Sequence, residues 1–298
     1  MSVTLLDGGI GQEMVARAGD RPTPLWSTRA MMDHPGLLQG IHTDYFAAGA
    51  DIATTNTYAI HRDRLAPDGL EHLFAPLHAT ALAEAQSARD AHGAGRIAGS
   101  IGPLAATYRP ELHPDAATAV PLYAEMVRMV APGADLVLFE SVASLSHAET
   151  ALAGAAAAAT GLPVWLSATL DDEDGTRLRS GEAVADLLPI LDGGGAAAVL
   201  ANCSAPEAMP PALEVFARSG LPFGAYANGF TMITKAFLEN RPTSDTLTAR
   251  RDMGPEIYAD HVMAWVGQGA TIVGGCCETG PAHIAEIARR LREAGLHD

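Results

Sequence analysis

The stretch DLVLFESVASLSHAETALAGAAAAATGLPVWLSA, residues 135–168, decides the fold. Asp135 to Phe139 is a short apolar run that ends in the polar pair Glu140-Ser141. Such a run, bounded by small or polar residues, reads as a buried strand. Ser146-His-Ala-Glu149 has the spacing of a capping box. The Ala-rich run Ala151 to Ala159 reads as helix, since it is too short and too weakly apolar to span a membrane. Gly161 fits a helix end, and Pro163 to Ala168 is a second apolar run. Strand, helix and strand in succession imply a parallel pair.

The same pattern extends in both directions. Further strands are expected at Thr4 to Leu6, Asp51 to Thr55, Arg96 to Ser100, Ala196 to Leu200, Pro222 to Tyr226 and Thr271 to Val273. Gly49, Gly95, Gly133, Gly220 and Gly269 stand where helices would stop ahead of strands. Leu37 to Ala48 is an amphipathic helix, and Asp115 is placed to cap a helix over Ala116 to Val130. No linker or charge block divides the chain. Eight βα units in 298 residues predict one domain over 1–298, a single (β/α)8 TIM-type barrel. An open doubly wound sheet is the alternative. The missing G-x-G-x-x-G fingerprint after the first strand weakens it.

Composition excludes several classes. A net charge of −16 leaves no basic surface for a phosphate backbone, so no nucleic-acid partner is expected. The acidity reads as a solubility feature more than as a preference for cationic substrates. The start, MSVTLLDGGIGQEM, lacks a basic region followed by an apolar stretch, and no uncharged apolar run nears the ~20 residues of a membrane span. A cytoplasmic location and no membrane partner are therefore expected. The cysteines are Cys203, Cys276 and Cys277. An odd number with an adjacent pair is no disulfide framework, and clustered thiols in a reduced setting suggest a metal or catalysis.

In a barrel, chemistry gathers where strands end. Those ends carry Asp7-Gly8-Gly9, Asn56-Thr57-Tyr58, Glu140-Ser141, Asn202-Cys203 and Gly274-Gly275-Cys276-Cys277. All three thiols thus fall on one face. Three Cys with one open position suit Zn2+, and Gly274 and Gly275 would let the backbone turn sharply beside it. The bland alternative is three small buried hydrophobes. A closed structural site would need His283, which the reading places inside the last helix and away from the mouth. In an open site a substrate thiol would bind as a thiolate and stay nucleophilic, which suits alkyl transfer to sulfur and not hydrolysis. The long loop from Gly229 to Gly254 lies on the same face and is expected to cover the substrate.

The motifs LLDGGIGQEM, PLWSTRAMMDHPGLL, HTDYFAAGADIATTNTY, GSIGP, LFES, LANCSAP and VGGCCETGPAHI, in that order, resemble the homocysteine S-methyltransferase family across essentially the whole chain. The resemblance implies a zinc held by Cys203, Cys276 and Cys277, with homocysteine sulfur as fourth ligand. It implies that Asp7 and Glu140 hold the amino group of homocysteine. Carboxylates at strand ends suit an ammonium, and the Gly8 and Gly9 N–H groups would meet its carboxylate. A helix cap for Asp7 and an Arg partner for Glu140 are the alternatives. Trp26 and Tyr58 match aromatic positions near the methyl donor, where a cation would be attracted to a ring face. Ordinary rim packing is the other reading. Asn202 would orient a ligand or substrate.

Two departures separate the chain from betaine-using relatives. Ser141, grouped with the substrate-binding residues, stands where they carry Tyr, and too few residues follow Cys277 for their dimerisation arm. PLWS looks more like the S-methylmethionine-type members. The implied function is transfer of a methyl group from a cationic donor, a sulfonium such as S-methylmethionine, to homocysteine. Betaine use, a subunit served by a separate corrinoid protein, and a non-catalytic zinc or thiol protein are the rivals. A homo-oligomer is compatible with all of them.

Overall fold

The computed structural model describes residues 2–21, 23–231, 233, 236–238, 243 and 246–297. Its strands are β1 (Thr4–Leu5), β2 (Ile52–Thr54), β3 (Arg96–Ile101), β4 (Leu136–Val142), β5 (Val164–Ala168), β6 (Ala198–Asn202), β7 (Phe223–Tyr226) and β8 (Ile272–Val273). They form one sheet in the order β1-β8-β7-β6-β5-β4-β3-β2, every pair parallel. Leu6 bridges Ile52 beside β1 and β2, and the Asp51 N–H donates to Leu5 O at 2.7 Å. The sheet therefore closes on itself, which rules out the open doubly wound alternative. Each strand leads into helix, so the architecture is the (β/α)8 barrel.

Two apolar layers hold it. Leu6, Ile52, Leu138, Trp165, Leu200 and Ile272 belong to the cluster that fills the barrel interior. A larger cluster lies between strands and helices, with Tyr123, Phe216, Tyr258 and Trp265 fully buried. Strands covered on both faces explain the near-continuous apolar runs in the sequence.

Several helix ends differ from expectation. Helix Leu145–Ala158 is capped by Ser144, whose Oγ accepts from His147 N–H at 3.2 Å, and Ser146 lies inside the helix. A cap needs an extended backbone, and Ser144 (φ −150°, ψ 164°) has it. Gly133 closes a short 3-10 turn, Ala131–Gly133, and does not adopt the left-handed conformation of a helix stop. Leu37–Ala48 and Ala116–Val130 are helices as expected, the latter capped by Asp115, which accepts from Thr118 N–H at 3.0 Å.

The strand ends differ in a way that matters for chemistry. β4 does not stop at Phe139 but continues to Val142 through a bulge: Phe139 pairs with Leu166 and Val142 with Ala168. Glu140 and Ser141 sit within that irregularity, and Ser141 has φ +57°. A bulge bends the strand and re-aims side chains, here at the mouth of the barrel.

Candidate active site and metal centre

The thiol cluster is built by two strand ends. Cys203 follows the last residue of β6, and Cys276-Cys277 lie three residues beyond β8. Their sulfurs lie within 4.8 Å of one another, and Cys203 Sγ is 2.7 Å from Cys276 Sγ. All three are free thiols. Cys203 is held left-handed, at φ +53°. Its carbonyl accepts from the hydroxyls of Tyr108 and Thr169, both at 3.3 Å, and from Arg179 at 3.5 Å. Arg179 is itself fixed by Asp172 at 2.8 Å and by the Tyr108 ring, 5.0 Å away.

Packed together without a cation, the thiols cannot all ionise. Cys203 is drawn well below the usual thiol range because Cys276 and Cys277 donate to it. The other two are pushed well above that range, largely by the same contact with Cys203. A metal ion would favour the thiolate form of all three. Soft sulfur donors that converge and leave a face open to the cavity fit a metal centre with one free position. His283 is not part of it. Its Nδ1 accepts from Gly280 N–H at 3.2 Å, and its Nε2 meets Met253 O at 3.1 Å.

Glycine matters here through space, not through sharp turning. Neither Gly274 nor Gly275 has positive φ. A Cβ on Gly275 would lie 2.0 Å from Thr279 Oγ1, and one on Gly9 would lie 2.6 Å from Cys276 O and 3.1 Å from Cys277 Cα. The Gly9 N–H already donates to Thr279 O at 2.9 Å, which corrects its expected role as a donor to substrate. Among the described residues the Gly8 N–H has no such partner. Gly9→Ala is expected to push the Cys276-Cys277 segment outward, at a cost of about 1–3 kcal/mol from overpacking. Lowered melting temperature together with reduced bound metal would show it, and wild-type values for both would count against this packing argument.

Asp7 and Glu140 reach the same cavity. Asp7 Oδ2 accepts from Thr54 N–H at 2.6 Å and Oδ1 from the Thr54 hydroxyl at 2.9 Å. It caps no helix: Gly9 stands at the start of helix Ile10–Ala18. Glu140 accepts from the Ser100 hydroxyl and from Tyr226 Oη, the latter at 2.9 Å. Neither carboxylate is in an ion pair among the described residues, so the Arg partner considered for Glu140 is absent. Burial, the largest effect, holds Asp7 well above the usual carboxylate range, against its two bonds from Thr54. Burial likewise pushes Glu140 up to about 7, against its hydroxyl donors. Two buried acids without a cation are poised to take one up.

The cavity they line has a volume of about 800 Å³ and contains Trp26, Tyr58, Asn202, Cys203, Cys276 and Cys277 as well. Trp26 meets Tyr58 edge-on, ring centroids 6.2 Å apart, and its indole N–H donates to Gln12 at 2.9 Å. Tyr58 Oη contacts the Thr107 hydroxyl at 2.9 Å. Ser141 does not line the cavity. It stands behind Asn202, whose Oδ1 accepts from Ser141 N–H at 2.9 Å and Ser167 Oγ at 2.8 Å. Phe230, Phe237 and Leu247 from the 229–254 loop also line the cavity, but that loop lies partly outside the described residues. Left-handed residues other than glycine concentrate here: Trp26, Ala105, Tyr108 and Cys203 line the cavity, and Ser141 and Glu278 flank it. Such backbone is strained and gathers at functional sites.

Sequence reading missed Thr54, Ser100, Tyr226, Tyr108 and Arg179. The first three are inward-facing strand polar residues, and polarity on a barrel strand is a signal that could have found them. Tyr108 and Arg179 sit on connections, where no periodicity marks them.

Comparison with known proteins agrees with this geometry. The profile described as homocysteine S-methyltransferase matches residues 4–291. The homocysteine S-methyltransferase of Escherichia coli (strain K12) is 29% identical, with 97% of this chain and 95% of that protein covered. The homocysteine S-methyltransferase YbgG of Bacillus subtilis (strain 168) is 28% identical, covering 97% and 94%. The crystal structure of homocysteine methyltransferase MmuM from Escherichia coli in its metallated form superposes with a TM-score of 0.81. Sequence identity is 27%, with 97% of this chain and 96% of that one covered. No helix among the described residues is long and apolar enough to cross a membrane.

Proposed function

The chain belongs to the homocysteine S-methyltransferase family, and from that premise we propose direct transfer of a methyl group from a small sulfonium donor to homocysteine, giving methionine. The observation that carries the reading is the meeting, in one cavity, of three free thiols with two buried carboxylates that have no cationic partner among the described residues. Metal storage has no use for the carboxylates. A substrate with both a thiol and an ammonium uses everything present.

Held by Cys203, Cys276 and Cys277, zinc would keep the acceptor sulfur as a thiolate at neutral pH. Asp7 and Glu140 fix the acceptor's ammonium by charge-assisted hydrogen bonds. The Gly8 N–H faces its carboxylate. Trp26 and Tyr58 present aromatic surface to the donor's cationic centre. Asn202 and Ser141 brace the strand end that carries Cys203, and Tyr108 and Arg179 hold its carbonyl. In the reaction a carbon–sulfur bond to the acceptor forms as the donor's methyl–sulfonium bond breaks, and the bonding pair stays on the departing sulfur. The acceptor's thiol proton leaves to solvent on binding. The protein's part is position and alignment. Free thiols of this kind suit a reduced, cytoplasmic setting.

Zinc-loaded protein given homocysteine and one donor at a time is expected to form methionine, read by mass spectrometry, with a sulfonium donor. No methionine from any sulfonium, from betaine or from methylcobalamin would overturn the reading. Turnover with methylcobalamin alone would shift it to a corrinoid-served subunit.

A further inference from the structure

The cavity wall carries a cation that the chemistry above does not use. Arg64 lines the cavity on the side of Tyr58, its guanidinium carbon 5.8 Å from the centre of that ring. Nη2 donates to Pro103 O at 3.1 Å, while Nε is shielded from solvent and has no hydrogen-bond partner among the described residues. Among the described residues Arg64 is in no ion pair. The neighbouring Asp63 is engaged elsewhere: its Oδ2 accepts from the Ala105 N–H at 3.0 Å. Arg109, the other described cation on the wall, is tied to Glu111 and to Leu238 O. A half-buried guanidinium with an unmade bond is costly to keep, and an arginine fork is shaped to grip a carboxylate.

The position along the wall is informative. Tyr58 lines the same cavity as the three thiols, its phenol held by the Thr107 hydroxyl at 2.9 Å. Arg64 lies against the same ring. A donor that brings its methyl group to the acceptor sulfur shares this cavity with Tyr58 and Arg64. A plain sulfonium or quaternary ammonium would be repelled there. A donor with an acid group in the same molecule would gain an ion pair with the guanidinium.

We propose that Arg64 binds the carboxylate of the methyl donor and so sets a preference for donors that carry their own acid. The inference rests on the methyl-transfer reading and deepens it. The two fail separately in the following experiment. Wild-type protein is titrated by calorimetry with S-methylmethionine and with its carboxamide, and both are then offered as donors with homocysteine. S-methylmethionine is expected to bind tighter and to have the lower donor KM. Arg64→Ala is expected to raise the KM for S-methylmethionine about ten- to a hundredfold, the size of a lost charge-assisted hydrogen bond. The KM for homocysteine and the donor KM for the carboxamide should stay near wild type, and Arg64→Lys should restore part of the loss. Equal binding of the two donors to wild type, no binding of either, or an equal loss for both in Arg64→Ala would overturn the proposal. The wild-type comparison needs no variant, so misfolding of a substituted chain cannot obscure the result. Donor discrimination without methionine formation would overturn the methyl-transfer reading and leave the Arg64 assignment standing.

Discussion

Cys203→Ser is expected to strip the protein of its metal and to end methyl transfer while leaving the barrel folded. The side chain is buried and of nearly the same shape, so the change asks little of packing. What is lost is one of three soft donors whose sulfurs lie within 4.8 Å of one another. Zinc held by thiolates is worth roughly 10–16 kcal/mol in small structural sites. An even share among the four ligands of such a site is about 2.5–4 kcal/mol, which corresponds to a roughly 70- to 1,000-fold fall in metal affinity. Metal content by plasma mass spectrometry and methionine formation should fall together, with circular dichroism unchanged. A Cys203→Ser protein that kept full metal and activity would dissociate the thiol cluster from the chemistry. Cys277→Ser is the parallel case and should behave alike.

Glu140→Gln is expected to weaken binding of the acceptor's amino group by about 30-fold or more, since removing the charged partner of a buried ion pair costs roughly 2–5 kcal/mol. Asp7 remains, which places the expectation at the lower end. The pH dependence is the sharper test. Burial sets the Glu140 ionisation at about 7, and only the ionised form attracts an ammonium. Wild-type affinity for methionine, which has the amino group but no thiol, should climb as pH rises towards 7 and level off above it. In Glu140→Gln that rise should shrink, because Asp7 is present in both proteins and the difference reports Glu140. Tyr226→Phe removes a hydroxyl whose hydrogen bond favours the carboxylate, so its inflection should move to higher pH. Calorimetry across the neutral range measures all three. A wild-type affinity that ignores pH, or one matched by Glu140→Gln, would defeat the assignment.

The same ionisation affects stability with a definite sign. Unfolded, Glu140 releases its proton near the ordinary 4.5; folded, it does so at about 7. Between those values the folded protein holds the extra proton, so stability falls as pH rises through the window. Glu140→Gln lacks this loss. Its melting temperature should gain on that of wild type between pH 5 and pH 8, so that the acid serves binding at the expense of stability.

How much of this was legible beforehand depends on the physics that each feature obeys. The eight strands and the helices Leu37–Ala48 and Ala116–Val130 announce themselves through apolar runs, periodicity and caps, which are local properties of the chain. From strand ends alone, Asp7, Glu140 and the three cysteines could be assigned to one face, because a parallel barrel presents every strand's C-terminal end at the same side. Distances and protonation could not be read in this way. The bulge that carries Glu140 arises from the pairing of β4 with β5, and a register is a relation between two segments. Ser144 took the cap from Ser146 because its backbone is extended where the chain turns out of the barrel into the helix. Gly9 and Gly275 answer to the backbone and side chains that close over them, not to their own turning. Arg64 looks like any surface arginine in the string HRDRLAP; only the folded wall leaves its charge without a counterion among the described residues. Composition and pattern determined the barrel and its chemically active face. The acids' shifted ionisation, the crowding of the thiols and the unpaired cation come from burial and proximity, which exist only once distant segments pack together.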